Sequence, residues 1–595
     1  MQPSERPAPA DRPDHPDRPD RSAADRDRGL RARAEDWLAG EIDDHDAATV
    51  RGWLQAGDTT ALEQAFGARL EFGTAGIRGR LGPGPAQMNR ALVVRVTAGV
   101  AARLARDAPG GLVVVGRDAR HGSKTFAADA AGVLAGAGFE AMLFDRHVPT
   151  PMLAFATRYL DAAAGVQITA SHNPPQDNGY KLYWSGGAQI SAPLDAEISA
   201  EIDALGPARA VRREPAAVRR LTWDALVDAY TAEALAHLRF AERDLRIVTT
   251  ALHGVAGRSL IELLHAAGFT DVHPVAEQQE PDPDFPTVAF PNPEEPGALD
   301  HALVLAAEVE ADVILANDPD GDRIAVAVPS EGSPGGWRVL SGDEVGCILG
   351  EHLLATAEVA HPAVATTVVS SQLLGRIAEH HGAAYAETLT GFKWLAGAAV
   401  GAEARGQQMV LAYEQALGVM VGTAVLDKDG LSAALVVADL AAHLRARGGT
   451  LLDALDDLAR RHGVHATGQR SVRLDPDDAP LVDAVLEGLR THPPEDVAGV
   501  AVTALADHQA RVRHTAHGAE QPLDLPSTPL AVMSLADGTR LQVRPSGTEP
   551  LLKFYAEVVE PPTPDLAASR AAAAVRLDRM LEAFLATAMG FAERP

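Results

Sequence analysis

The stretch AAAGVQITASHNPPQDNGYK (162–181) decides how this chain is read. Its first half is small and apolar enough to be a buried strand. The Asn-Pro and Pro-Pro steps push each preceding residue into extended geometry, and Asp177-Asn178-Gly179 is turn chemistry. Ser171 is therefore expected at a strand end, on a stiff loop, with its hydroxyl held outward and no helix or strand directly downstream. An ordinary capping or turn serine would fit this stretch equally well.

The same pattern of an apolar strand ending in polar residues recurs along the chain. GLVVVGRD (111–118) precedes an expected helix over 124–137, and LRIVTTALHGVAG (245–257) leads into a helix over 258–267. ADVILANDPDGDRIAVAV (311–328) reads as strand, acidic loop, strand; QQMVLAYEQALG (407–418) reads as strand, then loop. Short apolar runs alternating with Ala/Leu-rich helices make the fold α/β. Open α/β sheets bind ligands at the carboxyl ends of their strands. The texture changes from about 465, and the chain ends in a long Ala/Arg/Leu helix (564–587), which reads as a smaller α+β domain.

A length of 595 residues exceeds one core, so three or four domains are expected. Breaks near 205–220, 330–337 and 445–470 give α/β domains over 29–210, 211–332 and 333–460, and a C-terminal α+β domain over 461–595. Residues 1–28 are Pro, Asp, Arg and Ala with little to bury, and read as a disordered tail that is neither transit peptide nor secretory signal.

Acidic residues outnumber basic ones by 81 to 53, giving a formal charge of −28. Such a field repels nucleic acid and anionic lipid, so neither is expected as a partner. No apolar run is long enough to span a membrane. The single Cys347 excludes an internal disulfide and suits a reducing cytoplasm. Only five of the basic residues are lysine: Lys124, Lys181, Lys393, Lys428 and Lys553. Lysine is a compact charge that can exchange a proton, whereas arginine stays charged. These five are therefore expected where arginine will not serve.

DPDGDR (318–323) sets Asp318, Asp320 and Asp322 at alternating positions of a tight loop. At ~4 Å and an effective dielectric near 20, each carboxylate pair costs roughly 4 kcal/mol. A bound cation removes that cost, and oxygen ligands select Mg²⁺ or Ca²⁺; a solvated acidic turn is the alternative. RPSGTEP (544–550) gathers Arg544, Ser546, Gly547 and Thr548 as a phosphate grip without the Walker pattern. EFGTAGIRG (71–79) presents Arg78; GFKW (391–394) offers Gly391 and Lys393; YEQALG (413–418) offers Glu414 and Gln415; DKDG (427–430) offers Lys428. Together they describe a cleft with one metal, several cations and a carboxylate, suited to a polyhydroxylated phosphate.

TASHNPPQDNGYK, DPDGDR, TGFKW, DKDG and RPSGTEP, in this order, resemble the α-D-phosphohexomutase superfamily of phosphoglucomutases and phosphomannomutases. The FGTAGIRG, GFKW and DNGYK forms are most similar to its branch of bacterial phospho-sugar mutases and phosphoglucomutase-2-like phosphopentomutases. The resemblance covers roughly residues 35–590. It implies four domains around a central cleft, the first three α/β and alike. It also implies a phosphorylated Ser171 and Mg²⁺ held by the three aspartates and that phosphate. His172 and Lys181 fall beside the transferring phosphate, Lys181 being a candidate general base. Lys428 matches an acid/base lysine, Arg323 the arginine after the metal loop, and Arg78 the arginine near the phosphoserine.

The resemblance thus implies a cytoplasmic, Mg²⁺-dependent mutase that moves phosphate between C1 and C6 of a hexose phosphate through a sugar 1,6-bisphosphate. Glucose is the expected sugar, mannose a usable one, and ribose 1-phosphate the alternative. YEQALG departs from the common EESxG pattern, Gln415 and Ala416 replacing a glutamate and a serine, which leaves the sugar open. A phosphatase with a phosphoserine intermediate is the rival from another class, but it gives no role to a distant phosphate grip. A binding protein that had lost catalysis would not need the retained serine, aspartates and lysines. The oligomeric state is left open.

Overall fold

The computed structural model describes residues 21–73, 76–474, 479–547 and 551–592. Four sheets organise them. The first has the strand order Ile77–Arg80, Asp177–Trp184, Ala164–Ile168, Leu112–Arg117, Glu140–Phe144, Arg219–Leu221. Its middle strands are parallel, and Asp177–Trp184 returns antiparallel to Ala164–Ile168. The second sheet runs Trp337–Val339, Ile324–Pro329, Val313–Asn317, Ile247–Thr250, Val272–Pro274, and the third Ala384–Thr388, Pro362–Thr367, Gln408–Glu414, Gly418–Val421. Each mixes parallel with antiparallel pairs. The fourth sheet is antiparallel, with helices Ala479–Thr491 and Leu566–Ala592 packed on it. The class is α/β with a C-terminal α+β unit, as the sequence predicts.

Strand Ala164–Ile168 is buried at every position, which is why it reads as a continuous apolar run. Asn178 and Gly179, read as a turn, instead lie inside strand Asp177–Trp184. The reason is close approach. A Cβ at Gly179 would sit 2.5 Å from the Thr169 carbonyl oxygen and 2.8 Å from that of Ile77. The buried Asn178 amide donates to the His121 carbonyl and to Ser123 Oγ. Both residues are tertiary fittings, not turn formers.

The boundaries also move. Residues 21–28, read as tail, open helix Arg21–Gly40, where Arg28 pairs with Asp25 and Arg31 with Asp27. From Leu30 and Ala34 onward it packs against Val50, Leu62 and Phe66. Residues 1–20 lie outside the described part. Arg219–Leu221 completes the first sheet and Trp337–Val339 the second, so those sheets extend past 210 and 332. Helix Gly430–Ala446 is mostly apolar because its residues up to His443 are buried, against the second sheet as well as its own. One apolar cluster accordingly runs through the first three domains, with Phe155, Tyr230, Leu315, Val345 and Leu435 among its members. No helix of the described residues is long and apolar enough to cross a membrane.

Candidate active site

Strand ends from four sheets converge. Three residues past Ile168, Ser171 takes a positive φ of 53°, a left-handed conformation that favours glycine, and its N–H donates to Thr169 Oγ1 at 2.9 Å. A non-glycine held there indicates that its side chain is needed. The hydroxyl does not face outward as the sequence predicts. Ser171 is 2% exposed, and its Oγ donates to Asp318 Oδ2 of the second domain at 2.8 Å. The second domain closes over the loop, which sequence spacing could not reveal. His172 Nδ1 lies 3.2 Å from the same Oγ. Burial, with Arg323 and Arg78 nearby, holds the His172 imidazole well below its ordinary range and so neutral at pH 7.

Asp318, Asp320 and Asp322 follow strand Val313–Asn317 and are all buried, their ligand oxygens within 4.8 Å of one another. Gly321, at φ 73°, lets the loop turn between them. Thr150 fixes Asp320, donating Oγ1–H to Oδ2 at 2.6 Å and N–H to the backbone oxygen at 2.8 Å. Lys181 Nζ donates to Asp320 Oδ2 at 2.6 Å and Asp322 Oδ2 at 2.8 Å, and Lys428 Nζ lies 3.2 Å from Asp322 Oδ2. Burial and its two acidic neighbours push Asp318 well above the usual carboxylate range. Burial acts likewise on Asp320, but Lys181 overrides it and holds that carboxylate low.

Two oxygens, Asp320 Oδ1 and Asp322 Oδ1, are buried without a hydrogen-bond partner. Such oxygens are costly unless something positive meets them. Three carboxylates, two of them with an orphaned oxygen, and no sulfur or imidazole in the set fit a hard divalent cation such as Mg²⁺.

A cleft of about 970 Å³ opens beside this cluster, with Arg78, His172, Arg323, Glu414, Lys428 and Arg544 among its lining. Gly391, Lys393 and Gln415 line it as well. Lys181 lies beneath it, 2% exposed. Arg323 Nη1 donates to Glu294 Oε2 at 3.0 Å, and Lys393 Nζ stands 4.9 Å over the Trp394 ring. On the fourth sheet Arg544 and Lys553 stand directly opposite one another, both facing the cleft. Ser546 and Gly547 also border it, Ser546 N–H donating to the Leu551 carbonyl at 2.7 Å. Thr548 lies outside the described residues. Of the five lysines, Lys124 alone is exposed on a helix away from the cleft.

Sequence reading missed Thr150 and Glu294. Each stands in a proline-rich stretch (VPTP, where Thr150 opens helix Thr150–Tyr159, and NPEEP) with no chemistry of its own, and acts by touching Asp320 or Arg323.

Family models for phosphoglucomutase/phosphomannomutase alpha/beta/alpha domains I, II and III match residues 69–208, 227–332 and 341–462, and the model for the C-terminal domain matches 500–573. A probable phosphomannomutase of Haemophilus influenzae is 41% identical over 474 residues, covering 79% of this chain and 92% of that protein. A probable phosphoribomutase of Schizosaccharomyces pombe is 35% identical over 88% of this chain and 93% of its own length. The crystal structure of a putative phosphomannomutase from Thermus thermophilus superposes with a TM-score of 0.63 at 25% identity, covering 86% of this chain and 99% of that one. With four domain models matched in order and the fold shared, the chain belongs to the phosphoglucomutase/phosphomannomutase family and is an enzyme of the phosphohexomutase type.

Proposed function

We propose that this enzyme moves phosphate between C1 and C6 of a hexose phosphate, with Ser171 as the phosphoryl carrier. The carrying observation is that one cleft has two phosphate-suited ends: His172, Arg78 and Arg323 over the buried Ser171 and aspartates, and the opposed Arg544 and Lys553. A substrate phosphate held at the second end leaves the free hydroxyl facing the first. There the P–Oγ bond of phospho-Ser171 breaks as a bond forms to the sugar oxygen. The hydroxyl proton passes to a base of the chain, for which neutral His172 is placed; Lys181 and Lys428, held protonated by the aspartates beside them, face the transferring group as cations instead of as the base the resemblance implies. The resulting sugar 1,6-bisphosphate turns round and returns its other phosphate to Ser171 Oγ.

Asp318, Asp320 and Asp322, with the serine phosphate, would hold Mg²⁺, which supplies neutralisation of the charge on the transferring group. His172 orients Ser171 Oγ, and Arg78 and Arg323 offer their charges to the phosphate from the cleft side. The buried lone thiol of Cys347 suits the cytoplasm, the compartment we assign.

Arg544→Ala is expected to raise KM for sugar monophosphates about a hundredfold, since a lost charge-assisted contact costs a few kcal/mol, with folding little changed. Unchanged KM with a collapsed melting temperature would instead make Arg544 a structural residue.

The sugar follows from the third-sheet loop. Glu414 can accept from two adjacent hydroxyls, but Gln415 carries no charge and its carboxamide already accepts from Ser370 Oγ at 3.2 Å. Ala416 offers no polar atom. With one strong acceptor, discrimination between epimers is set at about 1–3 kcal/mol. Glucose 1-phosphate is therefore the expected good substrate and mannose 1-phosphate a usable one. The phosphoribomutase relative keeps ribose 1-phosphate as the second reading. The test is kcat/KM for all three with saturating bisphosphate. A preference of a thousandfold or more for ribose 1-phosphate would reject the hexose assignment while leaving the mutase chemistry in place.

A further inference from the structure

The serine loop has an unusual bonding problem. Between Ser171 and Asp177 it turns with two consecutive prolines, Pro174 and Pro175, which carry no N–H. Backbone carbonyls that no ladder takes up need partners when buried. One side chain reaches four of them, the Pro174 carbonyl accepting from the Asp177 N–H as well. Arg120, 4% exposed, lies in the turn after strand Leu112–Arg117, at the same sheet end as the serine. Its Nη2 donates to the carbonyls of Ser171, at 2.7 Å, and Asn173. Its Nη1 donates to those of Pro174 at 2.7 Å and Asp177 at 3.2 Å. The turn that carries it is itself pinned, Asp118 Oδ1 accepting the Arg120 N–H and the Ser123 hydroxyl. Phe285 of the second domain, 3% exposed, stacks on the guanidinium at 4.9 Å.

We propose that Arg120 is the positioning residue of the phosphoryl-carrying serine. Its fork grips the loop from below at both ends, holding Ser171 in its left-handed conformation with Oγ aimed at the aspartate loop. The stiffness that the prolines advertise in sequence is thus completed by a residue some fifty positions earlier in the chain. During turnover the bisphosphate must leave the serine and re-present its other end, and only a fixed acceptor meets it correctly. The guanidinium is suited to this task because its donors diverge in one plane. An ammonium offers three donors from a single point and cannot reach four carbonyls. The Phe285 contact ties the same grip to the domain that carries Asp318, so carrier and aspartates keep one geometry.

This inference rests on the reading of Ser171 as carrier, and Arg120→Lys tests it while keeping the charge. A misplacement of about 1 Å at a reacting group costs on the order of a hundredfold in rate. The variant is therefore expected to lose about a hundredfold in kcat while KM for the sugar phosphate stays within threefold. Its phosphoenzyme should form but release inorganic phosphate faster, because a loosened loop admits water. If the variant melts far below the wild type, Phe285→Leu replaces it, removing the ring behind the guanidinium but none of its bonds; about a tenfold loss in kcat is then expected. A folded Arg120→Lys with kcat within threefold of wild type overturns the inference, as does a loss confined to KM, or a Phe285→Leu enzyme with unchanged kcat. Ser171→Ala run in parallel separates the two ideas. If it is inactive while Arg120→Lys is fully active, only the role of Arg120 falls; if Ser171→Ala itself turns over normally, the carrier reading falls with it.

Discussion

Ser171→Ala is expected to fold and to lose turnover by about ten-thousandfold or more, the scale at which removing a covalent-catalysis nucleophile acts. Alanine meets the same left-handed backbone as serine, so the strain at φ 53° is unchanged. What disappears is the hydroxyl that donates to Asp318 and lies beside His172. Arg323 N–H still donates to Asp318 Oδ1 at 3.0 Å, so the carboxylate keeps a partner and the melting temperature should fall by only a few degrees. Intact-mass measurement after incubation with a sugar 1,6-bisphosphate should show one added phosphate on the wild type and none on the variant. Variant turnover within tenfold of wild type would show that the phosphoryl group is carried elsewhere.

Removing divalent cation should be nearly as severe. Excess chelator is expected to abolish activity, and added Mg²⁺ to restore it. The apo protein should stay folded because Lys181 already offsets charge on Asp320 and Asp322. Mg²⁺ at a hundred times its Kd adds about 2.7 kcal/mol to whichever unfolding step disrupts the site, so a thermal scan with and without the ion reads binding apart from turnover. Asp320→Asn removes one of three charges facing the ion and leaves Lys181 with Asp322 in place of two carboxylates. It should raise the Mg²⁺ concentration needed for half-maximal activity by tenfold or more. Full activity in chelator, with no metal by elemental analysis, would refute the assignment of these aspartates.

Local sequence is enough to point to the candidate chemistry and to the sheet ends that carry it. Strands 164–168, 313–317 and 408–414 are written as apolar runs because they are buried, and each hands its polar residues to a loop whose Pro, Gly or Asp pattern has few other uses. The alternating aspartates of 318–322 read as a candidate cation site because their mutual repulsion calls for positive charge, part of which Lys181 and Lys428 supply in the fold. A scarcity of lysine singled out Lys181 and Lys428, which meet the aspartates, together with Lys393 and Lys553 at the cleft. What these groups touch comes from packing between distant segments. That Ser171 turns inward to Asp318, that Lys181 sits under the aspartates, that Asn178 and Gly179 lie within a strand, and that Arg120 holds the serine loop are contacts between segments tens to hundreds of residues apart. Local propensity and motif spacing report the bonding needs of a segment with itself. A buried carbonyl or carboxylate takes whatever donor the packed sheets bring within about 3 Å, and that choice is made by the fold.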